Sequence, residues 1–167
     1  VSAENIHANN IKRVIRALEF YHLSGKRISE HNEKEREKTS PYHFAYFVLT
    51  DERPHLYANI DKRVDLMIEQ GLVDEVQKLK NMGFHRDMVS MQGLGYKEIL
   101  DYLDGKTTLE EAIYIIKRET RHFAKRQLTW FRRERDVIWL DKQAYDYQDA
   151  KILDSMINIL KEKTIIN

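Results

Sequence analysis

The stretch TLEEAIYIIKRETRHFAKRQLTWFRR, residues 108–133, decides how this chain is read. It contains neither Gly nor Pro, and Thr107 and Thr108 are each followed three residues later by Glu110 and Glu111, the spacing of a capping box. The pattern predicts one helix of about 25 residues, about 37 Å long. On a wheel of about 100° per residue, Arg118, Arg121, Lys125 and Arg132 fall within about 60° of one another, while Ala112, Ile116, Phe123 and Trp130 line up on another side. The helix is therefore expected to be dry along one edge and cationic along the other, with Trp130 in the core rather than serving as a base-stacking platform.

The chain carries a formal net charge of +1, which by itself argues against a generically basic nucleic-acid binder. Its charge is unevenly placed. Between Lys117 and Arg135 there are eight basic and two acidic residues. A solvated face is the ordinary reading of such a row. Against it stands the shortage of carboxylates at i,i+4. A row of cations stepping once per turn suits a polyanion, with steps close to phosphate separations along a nucleic-acid strand.

Two polar residues sit where apolar ones belong. Gln127 projects near Phe123 and Trp130, where its amide must find partners or incur about 1–3 kcal/mol. A satisfied buried Gln is one reading; a base-edge reader that pairs with adenine is the other. Arg63 lies at the margin of the apolar stripe Leu56, Ile60, Met67. It is read either as half of a structural ion pair or as a clamp for phosphate oxygens. Arg13 and Arg16 form a smaller basic spot. QGLGYK, residues 92–97, is a glycine-bearing turn opening a helix, whose free N–H groups could hold an anion. No Walker-type or dinucleotide fingerprint occurs in the chain. Its seven His show no ligand spacing, and no Ser/His/Asp set can be assigned.

Outward from these sites the elements follow. Asn9 or Asn10 caps a helix with apolar positions Ile11, Val14, Ile15, Leu18 and Tyr21, stopped at Gly25. EHNEKEREKTS, residues 30–40, is a solvated helix extension or linker and the best internal boundary. FAYFVLT (44–50) and VIWLD (137–141) read as strands. Between them lie one helix or two nearly continuous ones broken at Gly71, then a short helix ending near Gly105; a final helix covers 150–161. The fold class is α+β, predominantly α-helical. Two strands alone make a marginal sheet, so helices cover it or it belongs to a larger one.

At 167 residues the chain is about one domain long and able to bury a core. It has no Cys, which fits a reducing interior, and no apolar run long enough to span a membrane, so a soluble, cytoplasmic protein is expected.

Several strings together resemble one family. HANNIKRVIRALEFYHLSGK (7–26), the pattern LY-x-x-I-x-x-RV-x-x-M-x-x-x-GLVDEV (56–76), GLGYKEI (93–99), TLEEAI (108–113) and above all TRHFAKRQLTWFRR (120–133) are similar to the C-terminal half of tRNA dimethylallyltransferases, or tRNA isopentenyltransferases. The likeness is collinear over roughly residues 5–141; only the AKRQ-x-TWFR string is specific by itself. The resemblance implies transfer of a dimethylallyl group from dimethylallyl diphosphate to the exocyclic amine of the adenosine just 3′ of the anticodon, with Mg²⁺. It implies that Arg63 contacts the diphosphate. It also implies that Lys12, Arg13 and Arg16, then Gln92, Gly93, Gly95, Tyr96 and Lys97, then Lys125, Arg126, Gln127, Thr129, Trp130 and Arg132 contact tRNA at its anticodon stem-loop; Arg118 and Arg121 join them as RNA-binding candidates because they belong to the same basic rail.

The family's phosphate loop and general-base Asp have no counterpart here, so the chain is expected to be a fragment, inactive alone and prone to self-association, of an enzyme expected to be monomeric. Residues 1–40 would then be a helical segment joining an insertion region to the core, and residues 41–167 the C-terminal part of the catalytic core. The two strands would complete a P-loop-type parallel sheet in the whole enzyme. Two other classes stay open. One is a non-catalytic helical RNA-binding or protein-interaction module; the other is a relative that prenylates free adenine nucleotides, which would not need so long a basic rail.

Overall fold

A computed structural model describes residues 9–38 and 40–166. His7, at the head of the first family-like string, lies outside them. The chain divides into two compact units, residues 1–43 and 44–167.

The first unit holds α1 (Ile11–Ser24) and α2 (Ile28–Glu37). Asn10 caps α1, its side-chain oxygen accepting the Arg13 N–H at 3.4 Å, and Gly25 ends the helix at φ 66°, where a left-handed residue is needed. The helix α2 is the charged stretch, polar on every side. The apolar stripe of α1 is open, with Ile11, Ile15, Leu18 and Tyr21 all exposed.

The second unit runs β1 (Tyr46–Thr50), α3 (Arg53–Glu69), α4 (Leu72–Asn81), α5 (Tyr96–Leu103), α6 (Leu109–Phe131), β2 (Val137–Asp141) and α7 (Asp149–Glu162), with 3₁₀ turns at Val89–Gln92 and Gln143–Tyr145. Gly71, at φ 98°, separates α3 from α4, so the long amphipathic pattern is two helices. Thr108 caps α6 as its spacing predicts: its hydroxyl accepts the Glu111 N–H at 3.2 Å, and Glu111 Oε2 accepts the Thr108 N–H at 3.0 Å.

The strands pair in parallel, Tyr46 opposite Val137 through Thr50 opposite Asp141. Eight buried side chains, Val64, Leu72, Val76, Met91, Ile99, Leu100, Ala112 and Ile116, form one cluster where α3, α4, α5 and the first half of α6 meet. Val76 and Ile99 are wholly buried. Each such aliphatic side chain removed from water contributes about 1.5–3 kcal/mol.

The second half of α6 departs from the single dry edge that the wheel predicts. Phe123 is 44% and Trp130 54% exposed, so neither is core. The covered side is instead Thr120, Ala124, Leu128 and Phe131, with Phe131 meeting the Tyr46 ring edge-on at 6.1 Å. The reason is a change of partner. The first half of α6 rests on α5 and α3; the end of the second half rests on β1, which lies at a different angle around the helix axis.

Candidate functional site

Helices α3 and α6 run antiparallel, and two ion pairs fix their register. Lys117 Nζ lies 2.6 Å from Asp65 Oδ1, and Arg121 Nη1 donates to Asp61 Oδ1 at 2.5 Å. These cations belong to the stretch expected to lack carboxylates. Their partners come from 52 and 60 residues earlier, beyond any i,i+4 pattern. Arg118 Nε bonds Glu119 at 2.9 Å and its guanidinium lies 6.0 Å from the Tyr114 ring centroid. The rail is thus split. Arg118 and Arg121 are partnered, whereas Lys125, Arg126, Arg132 and Arg133 have no carboxylate within 4.0 Å among the described residues. Arg126 rests over Phe123 at 5.9 Å.

Three concavities follow this helix. The first, of about 410 Å³, is open and lined by His122, Lys125, Arg126, Thr129, Trp130 and Arg133. Its aromatic floor among cations resembles surfaces on which nucleobases stack. The second, of about 380 Å³, lies in the groove between α3 and α6. Leu56, Ile60, Val64, Met67, Ile116, Phe123 and Ala124 supply apolar walls, and Arg63 and Gln127 supply polar ends. The two residues that sequence periodicity marks as misplaced therefore face one cavity. Neither is satisfied within the chain: Arg63 has no ion pair and Gln127 no hydrogen bond among the described residues, and both are exposed. The structural ion pair and the satisfied buried amide are both set aside by that. A cavity of a few hundred Å³, apolar with few directed polar groups, is the ordinary form of a small-molecule site.

The third concavity, of about 250 Å³, lies at the carboxyl end of β1, lined by Thr50, Asp51, Arg53, Leu56, Tyr57, Lys125, Leu128, Thr129 and Arg132. Asp51 accepts from the Glu52 N–H at 2.8 Å and the Tyr147 hydroxyl at 3.0 Å, and its other oxygen is 2.5 Å from His55 Nδ1. Burial pushes its carboxyl up, and these three hydrogen bonds outweigh burial, holding it below the ordinary aspartate range.

The glycine turn is less open than its sequence suggests. Gly95, at φ 99° and buried, gives its N–H to Glu98 Oε2 at 2.9 Å, so that amide already holds a carboxylate. Glu98 is the one charged residue buried backbone and side chain together among the described residues. Tyr96 gives its hydroxyl to Glu75, and Lys97 lies 3.4 Å from Glu98. Gln92 and Gly93 are exposed. Lys12, Arg13 and Arg16 are exposed on α1 of the first unit.

Sequence periodicity missed Arg53, Tyr57 and Asp51, although Arg53, Tyr57, Asp61 and Asp65 form a four-residue ladder legible in the sequence. For Mg²⁺, the described residues gather no group of three His, Asp or Glu side chains. No helix among them is long and apolar enough to cross a membrane.

The family described as IPP transferase matches residues 1–134. A tRNA dimethylallyltransferase of Lachnoclostridium phytofermentans is 61% identical over 166 residues, 99% of this chain and 53% of the relative. One from Acetivibrio thermocellus is 50% identical over 155 residues, 93% of this chain and 49% of the relative. Among solved structures, the full-length tRNA isopentenylpyrophosphate transferase of Bacillus halodurans superposes with a TM-score of 0.68 at 45% identity, covering 98% of this chain and 50% of that one. A eukaryotic dimethylallyltransferase acting on tRNA superposes at 0.67 and 30% identity, over 82% of this chain and 37% of its own. The chain spans about half the length of the curated relatives it matches. With the family matched over residues 1–134 and the predominantly helical fold shared with its solved members, this chain belongs to the IPP transferase family.

Proposed function

We propose that this chain supplies the RNA-gripping and diphosphate-clamping part of a tRNA dimethylallyltransferase acting on the adenosine 3′ of the anticodon. The observation that carries the reading is the groove between α3 and α6, where Arg63 and Gln127, which have no ion pair or side-chain hydrogen bond among the described residues, face apolar walls. A five-carbon prenyl group is matched by such walls, and a diphosphate by a guanidinium with no carboxylate of its own. The donor is dimethylallyl diphosphate.

The reaction forms an N–C bond between the exocyclic amine and the first carbon of the prenyl group and breaks the C–O bond to diphosphate. Diphosphate leaves with the bonding electrons. Arg63 takes up part of that accumulating charge, which is stabilisation realised most fully as the bond breaks. The amine's proton passes to a base that the resemblance assigns to the other half of the relatives. An adenine held inside a stacked loop cannot present its amine, so the nucleotide is extruded. Gln127 is suited to pair with the adenine edge, and Trp130, with Lys125, Arg126 and Arg132, to hold neighbouring nucleotides. Lys12, Arg13 and Arg16, and the turn Gln92 to Lys97, are further RNA contacts in this reading. The first unit joins an insertion region to the core, and the cytoplasm is the place of action.

The test uses the 167-residue chain and a version extended to the length of its relatives by the half of them that it does not span. The chain alone should bind an anticodon stem-loop in preference to a random hairpin, weakly and with steep salt dependence, and should form no prenylated product. In the extended version Arg63→Ala should depress turnover while leaving tRNA affinity within about twofold. Product from the chain alone, or a loss of tRNA affinity in Arg63→Ala equal to that in a Lys125→Ala, Arg126→Ala double variant, would overturn it.

A further inference from the structure

The α3–α6 seam changes character along its length. Its antiparallel register places Asp65 opposite Lys117 and Asp61 opposite Arg121. Continuing by one turn on each helix sets Tyr57 opposite Lys125, and by another sets Arg53 opposite Thr129, with Arg132 beside it. Two acid–base rungs are followed by two rungs carrying three cations and no carboxylate.

All three cations line the cavity at the carboxyl end of β1, and none has a carboxylate within 4.0 Å among the described residues. Asp51 lies in the same wall but is engaged by Glu52 N–H, Tyr147 and His55. Like charges gathered across a helix pair oppose folding unless an anion joins them. The cavity also offers the hydroxyls of Thr50 and Tyr57 as donors, while the Thr129 hydroxyl in its wall donates to the Lys125 carbonyl at 3.0 Å, and the cavity stands at the carboxyl edge of parallel strands, where such sheets bind ligands.

We propose that Arg53, Lys125 and Arg132 form a phosphate cradle, and that in RNA binding it takes one backbone phosphodiester next to the nucleotide held in the Arg63 groove. Leu56 lines both cavities, so the two ligand parts would lie on either side of one side chain. The assignment to RNA rests on the proposed function; the cradle itself does not. Arg53 adds a residue from outside the basic helix. Its guanidinium can clasp two phosphate oxygens at once.

The test measures binding of a fluorescent anticodon stem-loop to the 167-residue chain between about 50 and 200 mM salt. Arg53→Ala should weaken binding about tenfold at the low end, as loss of a charge-assisted pair does. It should also lower the magnitude of the salt slope by about 0.7–0.9. Arg53→Lys should recover most of the slope, Arg53→Glu should fall below Arg53→Ala, and Lys163→Ala, an exposed cation just past the end of α7, should leave binding unchanged. Equal slopes and affinities for wild type and Arg53→Ala would overturn the RNA assignment.

A second arm titrates inorganic diphosphate and follows the amide resonances of Tyr57 and Thr129. If the wild-type chain binds no stem-loop, the proposed function fails. The cradle then stands only if diphosphate shifts those resonances in wild type and Arg63→Ala but not in Arg53→Ala. No shift in any of the three removes it.

Discussion

The two ends of the second unit are built to different standards. Where α3, α4, α5 and the first half of α6 meet, eight side chains are 5% exposed or less and pack on one another. Around the sheet, Val48, Leu140 and Ile152 are buried, while Leu49 is 51%, Trp139 39% and Trp130 54% exposed. The long helix passes through both regions. Its cations are paired with α3 at the closed end and have no carboxylate partner among the described residues at the open end. The difference separates what holds the fold from what it presents. The closed end fixes the register of α3 against α6, and the open end uses that register to display charge, an aromatic ring and a groove.

Substitutions at the two ends should separate accordingly. Ile99→Ala, at the centre of the closed cluster, should cost about 2–5 kcal/mol in urea unfolding of the 167-residue chain. A cost below about 1 kcal/mol would mean that the cluster is not the stabilising core. Arg121→Ala removes a half-buried partner of Asp61 and should cost about 1 kcal/mol, whereas Lys125→Ala, one turn on and unpaired, should cost almost nothing. Equal losses would erase the contrast along α6.

The open end has one stabilising carboxylate with a pH signature. Asp51 titrates below its unfolded value, so the stability it adds is complete above about pH 5, where the unfolded group is also ionised. It is lost as pH falls through the folded value. The stability difference between wild type and Asp51→Asn should therefore shrink on acidification below about pH 4, as followed by denaturant midpoints. A constant difference from pH 7 to pH 3 would contradict the hydrogen-bonded role. Smallest of all, Leu49→Ala at the exposed sheet position should change stability by no more than about 0.5 kcal/mol.

Most of the elements were legible because their signals are local. The Thr108 to Glu111 capping box, the Asn10 cap and Gly25 stop, the break at Gly71 and the two β-branched, aromatic strands each depend on residues within a few positions. The parallel pairing of those strands agrees with the expected sheet. The orientation of α6 was not legible, because a helical wheel presumes one partner along the helix and α6 has two. That is why Trp130 and Phe123 lie open. The partners of Lys117 and Arg121 come from a distant helix and follow no local period.

At the site, periodicity singled out Arg63 and Gln127 because each is polar within an apolar pattern. It could not tell that they face one groove. Glu98 illustrates a signal present but unread. It follows Gly95 by three residues, the same spacing that Glu111 keeps from Thr108, and its carboxylate takes the Gly95 N–H that would otherwise be free.

The central claim is that the unpaired cations on the second half of α6 grip an RNA backbone. Its most direct test is the affinity of the 167-residue chain for an anticodon stem-loop against salt concentration, in wild type and in a Lys125→Ala, Arg126→Ala, Arg132→Ala variant. The account predicts a salt slope smaller in magnitude by about 2–3 for the variant, with affinity at low salt reduced by about a hundredfold or more. Superimposable salt plots for the two proteins would contradict it.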